Sequence, residues 1–377
     1  MTLSKLAAAA AACLTSIAST GALAAQDTYT ATRVAHPDSA GMKAFRGLAL
    51  SDAGAAVGVG MLPRSLGAQY WYTGADGQGV FFNPPDMPGS VSVLTGINAA
   101  GQLVGSYWPS AGGPQGANAF VTGPGALGFT DVAPADTEAS VTNAINAQGW
   151  IAGTTTVRTH TGSLSRITAF RSRHVEAGLP SLGTLGGDYS EALAINAHGL
   201  VVGDSTIADG ATHAFATSTD GLVDLGTLGG PTSAATAVND RGVIVGYASD
   251  RKNVFRAFIT APGSTRIRSL VQPGAVDEIG GETKAMGVDA GGHVVGQGLA
   301  SNTDPYYRAF ISGAGGKGVY DLNDFVVLPT HSLLARAVAI NARGQILADD
   351  VDGTDGPWLL TPTRASWAEE LEAQAAR

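Results

Sequence analysis

Short apolar runs broken by glycine and polar residues follow one another from about residue 40 to residue 362, and they repeat. Ala194-Ile195-Asn196-Ala197-His198-Gly199-Leu200-Val201-Val202-Gly203 is matched by Ala237-Val238-Asn239-Asp240-Arg241-Gly242-Val243-Ile244-Val245-Gly246. The same string recurs around Asn98, Asn146, Asp289 and Asn341, and more weakly around Ser51. Its first glycine is Gly54, Gly101, Gly149, Gly199, Gly242, Gly292 or Gly344, so the period is 43 to 52 residues. Four residues later stands Gly58, Gly105, Gly153, Gly203, Gly246, Gly296 or Ala348. A small residue before an aromatic comes next: Ala119-Phe120, Ala169-Phe170, Ala214-Phe215, Ala257-Phe258 and Ala309-Phe310, with Tyr70-Trp71 and Pro357-Trp358 in the outer copies. Leu-Gly-Thr-Leu-Gly-Gly is a further landmark, at Leu182 to Gly187 and Leu225 to Gly230.

An apolar alternation ending in Asn, followed three residues on by Gly, predicts a type I turn between two strands, because Asn suits its first position and Gly its fourth. The run after the turn is β-branched and strand-like. A glycine inside it marks close approach of another segment, and the aromatic of the following strand is expected to fill that space. The aromatic segment is then the third strand and the Leu-Gly-Thr-Leu segment the fourth. Seven units of four short strands predict an all-β, seven-bladed β-propeller. The last copy stops after its third strand. Tyr29 to Val34 is strand-like and precedes the first copy, so the N-terminal strand is expected to close the last blade. An open β-solenoid is the rival architecture and needs no such complementation.

The two ends differ from this body. Lys5, an apolar stretch from Leu6 to Ile17, and Ala22-Leu23-Ala24 form a secretory signal peptide, with cleavage expected after Ala24. The single cysteine, Cys13, lies inside it, so the mature chain carries no disulfide and no thiolate metal site. No other segment is apolar and long enough to cross a bilayer. The organisation is a leader at 1–24, the repeats at 25–364 and, from the capping-box start Ser366-Trp367-Ala368-Glu369, a short helix at 365–377. Glycine is 52 of 377 residues, only 14% are charged, and the net charge is −9. That balance excludes nucleic acid as a natural partner, and the 44% apolar content excludes a disordered chain.

The pattern N-x-x-G-x-x-V-G, then A-F, then L-G-T-L-G-G resembles the HAF repeat of exported bacterial proteins. The full tripeptide occurs once, at His213-Ala214-Phe215. The resemblance covers nearly all of the mature chain and implies an exported repeat protein without family-wide catalytic residues. Other copies place Asn118, Thr168, Arg256 and Arg308 where His213 stands, which argues against a repeated His-dependent chemistry.

Candidate chemistry is sparse. His36, His160, His174, His198, His213, His293 and His331 have no zinc-ligand spacing, and no Walker loop or G-x-S-x-G occurs. Gly203-Asp204-Ser205 echoes an esterase block but fills a repeat-strand slot. Asp349, Asp350, Asp352 and Asp355 could hold calcium, although their spacing misses the EF-hand pattern and an acidic solvated loop fits as well. Five residues before each turn residue stand Arg46, Val93, Val141, Glu191, Ala234, Lys284 and Arg336. These are expected at the entrance of the central channel. Arg46, Lys284 and Arg336 fall in adjacent blades once the ring closes, and three cations there would suit a carboxylate or sulfate ligand. Alternatively they pair with acids such as Asp52, Glu278 and Glu282. The resulting expectation is a secreted or periplasmic binding scaffold without catalysis or cofactor, whose partner is an unknown extracellular ligand or protein. An enzyme acting on a glycan or ester at the channel mouth is the alternative. A cluster of two or more acids with a His at one mouth would favour it, and the mix of Val, Ala, Arg and Lys at these positions does not.

Overall fold

The computed structural model describes residues 28–364 apart from 35–42, 62–67, 75–77, 83–88, 110–115, 134–136, 159–164, 174–178, 272–278, 280, 301–305, 331, 352 and 354–355. The expected leader at 1–24 and the expected helix at 365–377 lie outside the described residues, as do Asp352, Asp355 and Glu278.

The chain is all-β. Each copy's turn residue ends one strand, and an antiparallel partner starts just beyond. Four sheets have four strands each, in the order first, second, third, fourth. They run from Lys43–Leu50 to Gly79–Phe81, from Gly89–Ile97 to Thr130–Asp131, and from Thr283–Val288 to Lys317–Asp321. The fourth joins Leu334–Ile340, Ile346–Asp350 and Trp358–Pro362 to the N-terminal Tyr29–Arg33. Tyr29 stands opposite Pro362 and Arg33 opposite Trp358, so the two ends of the repeat region are bound by strand pairing. Copies 3 to 5 form one 11-stranded sheet from Ala139–Ile145 to Ile267–Ser269. There the first strands Gly186–Ile195 and Gly229–Val238 start early, and each makes one parallel pair with the preceding third strand, at Ile167–Tyr189 and Thr212–Thr232.

The first strands touch one another in chain order, and Leu334–Ile340 of the last copy touches Lys43–Leu50 of the first. Hydrogen bonds between turns follow the same circuit. The Asn98 side-chain N–H donates to the Asn146 carbonyl, Asn146 to Asn196, Asn196 to Asn239, Asn239 to Asp289, and Asn341 to Ser51 across 290 residues. The same Asn side chains accept from backbone N–H groups of their own turn, as Asn196 Oδ1 does from His198 and Leu200. This double duty explains Asn at these positions. Ser51 and Asp289 carry no amide to donate. Asp289 instead accepts from the backbone and ring nitrogens of buried His293.

The predicted turn geometry holds: the Gly101 N–H closes on the Asn98 carbonyl, and Gly101 has φ +73°. The second glycine marks a close approach, as expected, and in some copies the aromatic takes part: a Cβ at Gly58 would first strike the Trp71 ring, and one at Gly296 would meet the Phe310 ring beside the Lys284 carbonyl. Phe215 does face Gly203 across the strands, and Phe258 faces Gly246. Yet a Cβ at Gly203 or Gly246 would first strike the carbonyl oxygen of Glu191 or Ala234 in the first strand. All seven first strands bulge at this level, as between Ala192 and Ala194, and the bulge turns that carbonyl towards the glycine. The aromatics Phe120, Phe170, Phe215, Phe258 and Phe310 are fully buried and fill the core between sheets. The fourth-strand expectation holds in copy 4, where Gly221–Gly226 pairs with Thr212–Ser218. In copy 3 the fourth-strand contact is short, the bridge Phe170–Ser181 and the Leu182 N–H on the Ala169 carbonyl, and Leu185 already bridges to Ile207 as the segment becomes the next first strand.

Candidate active site

Along most of the first strands, the residues five and three before the turn residue form the less buried row, with Ala234 and Val338 buried as exceptions. Glu191 and Leu193 are half-buried while Ser190 and Ala192 are fully buried, and Lys284 and Met286 flank buried Ala285 in the same way.

Glu191 is the one acid in the row at minus five. The hairpin register sets it directly opposite Asp204. Side chains at such positions stand about 5 Å apart at Cβ. Glu191 accepts from the Asn143 amide of copy 3 at 2.8 Å and from the Tyr189 hydroxyl at 2.7 Å, one donor to each oxygen. No side-chain donor to the Asp204 carboxyl occurs among the described residues. Burial, reinforced by the Glu191 charge, raises Asp204 to about 7. Burial also pushes the Tyr247 hydroxyl of copy 5 up, with the charges of Asp204 and Glu191 adding to it. Next to Tyr247 lies Lys284 of copy 6, its ammonium 5.2 Å from the Tyr247 ring and 4.7 Å from Phe255. The hairpin therefore holds two carboxyls in different environments. One keeps a proton near neutrality, and the other is oriented by two hydrogen bonds. Such a pair can donate a proton to a leaving group and draw one from water.

The three cations of the expected anion site are placed as follows. Lys284 pairs with Glu282 at 3.1 Å, as the alternative reading had it. Arg336 makes two bonds to Asp349, the shorter 2.6 Å, and reaches the Gly47 carbonyl. Arg46 is exposed, and its charge acts on the same Asp349. Asp52 accepts from the Ala342 N–H. Asp349 and Asp350 are consecutive residues of Ile346–Asp350, so their side chains leave on opposite faces and cannot share one ion. Asp349 is spent on Arg336 and the Gly47 N–H. Burial still pushes its carboxyl up, with those partners opposing. The reading of an acidic solvated loop is corrected for Asp349 and Asp350, which are buried strand residues, while Asp352 and Asp355 lie outside the described residues. The esterase echo is strand, as read. Ser205 is fully buried and donates to the Tyr189 carbonyl.

At the other end of the first strands, the turns of all seven copies surround one cavity of about 290 Å³.

No family model and no curated protein matches the chain. Solved structures do. A puromycin hydrolase matches with TM-score 0.53 at 16% identity, over 85% of this chain and 53% of that one. A prolyl endopeptidase matches with TM-score 0.52 at 12% identity, over 90% and 51%. A puromycin-hydrolyzing peptidase of Mycobacterium tuberculosis matches with TM-score 0.50 at 12% identity, over 88% and 55%. The chain spans about half the length of each. The likeness is one of fold, that of the β-propellers in these proteins. The expectation of a scaffold without catalysis is corrected here. The solved structures that share its fold include hydrolases, and the hairpin register brings together two acids, Glu191 and Asp204, of the acid-and-histidine cluster that the enzyme reading asked for.

Proposed function

We propose that the protein is a hydrolase working at the wall of a propeller channel, with Asp204 as proton donor and Glu191 as base. The observation that carries this reading is the pairing of the two carboxyls across one hairpin, one without a side-chain donor and the other fixed by Asn143 and Tyr189. In the reaction Asp204 passes its proton to the leaving atom while Glu191 takes one from the attacking water. The bond to the leaving group breaks as the oxygen bond forms, and the two protons balance. Short peptides and aminoacyl amides are the first substrates to test, since the matched propellers belong to peptidases and a puromycin hydrolase. Esters and oligosaccharides complete the panel.

In this reading the architecture is a closed ring of seven blades, sealed by Tyr29–Arg33, and the protein is an exported member of the HAF-repeat type. The strand pairing of the two ends and the circuit of turn hydrogen bonds support the ring. N-terminal sequencing of exported material, expected to begin at Ala25, tests the leader. The function is tested by incubating the full chain with the panel and reading products by mass spectrometry, beside the variant carrying Asp204→Asn and Glu191→Gln. Cleavage by the parent and not by the folded variant is expected. Equal cleavage, or none of any substrate by the parent, overturns the reading.

A further inference from the structure

The cavity between the turns carries a second site, independent of the carboxyl pair. The residue after each turn residue is Asp52, Ala99, Ala147, Ala197, Asp240, Ala290 or Ala342, and all seven line the cavity. In two copies this residue's backbone N–H has a carboxylate acceptor supplied by the next copy. The Ala197 N–H donates to Asp240 Oδ1 at 2.8 Å, and the Ala342 N–H to Asp52 Oδ1 at 3.0 Å. These bonds show where the N–H groups point: round the ring, towards the equivalent residue of the following copy. Elsewhere that following residue is alanine, which has nothing to accept with. The N–H groups of Asp52, Ala99, Ala147, Asp240 and Ala290 accordingly have no acceptor among the described residues.

We propose that this ring of backbone N–H groups binds a carboxylate, and that the occupant is the C-terminal carboxylate of a short peptide. The chain's own Asp52 and Asp240 already act as carboxylate occupants of two equivalent positions. The unanswered N–H groups line the cavity in a ring, each open to a carboxylate seated as those of Asp52 and Asp240 are; concavities of backbone N–H groups bind anions, and capture of a peptide's C-terminus is a recurrent use of one. A monoanion suits the place better than a phosphate, because Asp52 and Asp240 oppose a doubly charged ligand. A cleft of about 400 Å³ adjoins the cavity through shared Ile97 and Ala99, between copies 1 and 2. Tyr72, Ala55 and Gly101 line it, and it offers an apolar last side chain a seat. The ring residue of this copy, Ala197, lies six residues along the chain from Glu191, roughly 20 Å at strand rise. The two sites therefore stand or fall separately.

The test is calorimetric titration of the full chain with N-acetyl-L-phenylalanine, its amide and acetate, repeated on the Asp204→Asn, Glu191→Gln variant so that hydrolysis of the amide does not enter the heats. The acid should bind at least about tenfold more tightly than the amide, because the charged acceptor makes the stronger bonds. Acetate, which cannot use the cleft, should also be weaker. Ala147→Asp with Ala342→Asp places carboxylates in front of the Ala99 and Ala290 N–H groups and should weaken the acid at least about tenfold. Asp240→Ala uncovers the Ala197 N–H, removes a like charge and should tighten it. Equal binding of acid and amide, or none of either, overturns the carboxylate site. Acetate binding as tightly as the acid overturns the peptide assignment. Melting curves accompany each variant. Should the double variant not fold, the acid-against-amide comparison on the parent and the gain in Asp240→Ala decide.

Discussion

Replacing Asp204 by Asn should stabilise the protein at neutral and alkaline pH and leave it unchanged in acid. The Asp204 carboxyl holds its proton up to about 7, against a usual 3.8. Below 3.8 the group is protonated in the folded and the unfolded chain alike, so it contributes nothing that depends on pH. As pH rises from there, the unfolded chain loses the proton while the folded chain keeps it, and folding is penalised by about 1.4 kcal/mol per pH unit. The penalty levels off above about 7, where Asp204 ionises in both states. Its ceiling is about 4 kcal/mol, and partial exposure brings this to roughly 2–3 kcal/mol. Asn keeps the shape and cannot ionise, so the variant escapes the penalty. Urea unfolding of parent and variant at intervals from pH 4 to pH 9 measures it, with unchanged slopes confirming comparable transitions. The two stabilities should coincide near pH 4 and diverge until about pH 7, with the variant above. Parallel curves, or a variant less stable at pH 8, would refute the desolvated, proton-holding state of Asp204.

Gly246→Val forces a branched side chain against the Ala234 carbonyl, which is backbone and cannot swing aside, so the cost should reach or exceed about 3 kcal/mol. Phe258→Ala, at a fully buried ring, should cost about 3–5 kcal/mol, and thermal melts check both. Asn196→Ala deletes the bond to the Asn239 carbonyl and the acceptor for two backbone N–H groups, and chemical denaturation should show a loss of about 2–4 kcal/mol. Arg336→Ala leaves Asp349 buried without its cation and should cost about 3–5 kcal/mol at pH 8. That cost should shrink as pH falls, because Asp349 can then take a proton, and melts at pH 8 and pH 5 compare the two.

The repeated landmarks were readable because each answers a local demand. Gly101 needs positive φ, Asn98 must serve its own turn and the next copy, and Phe120 fills the same core slot in every unit. The pairing of Tyr29–Arg33 with Trp358–Pro362 was readable because a unit short of one strand has one candidate to complete it. The carboxyl pair was half visible. Glu191 stands out as the lone acid among Arg46, Val93, Val141, Ala234, Lys284 and Arg336, whereas Asp204 reads as an ordinary strand residue. What hid the pair was register. The bulge in every first strand sets the position five before the turn opposite the residue that follows the second glycine. That single offset also joins Arg336 to Asp349, and with it both pairs follow from the sequence. The N–H ring leaves no sequence mark at all, since backbone groups are common to every residue. Only Asp52 and Asp240, where five alanines stand elsewhere, hint at it.

The claim that Asp204 and Glu191 perform hydrolysis is tested most directly by the pH dependence of kcat/KM on whichever panel substrate the protein cleaves. A protonated Asp204 and an ionised Glu191 are both required, so activity should fall on the alkaline side with a midpoint near 7. Asp204→Asn should lose that limb together with about 10²–10⁴ of the rate, and Glu191→Gln should lose a comparable factor. A profile still rising through pH 9, or a variant with the parent's rate, would contradict the account.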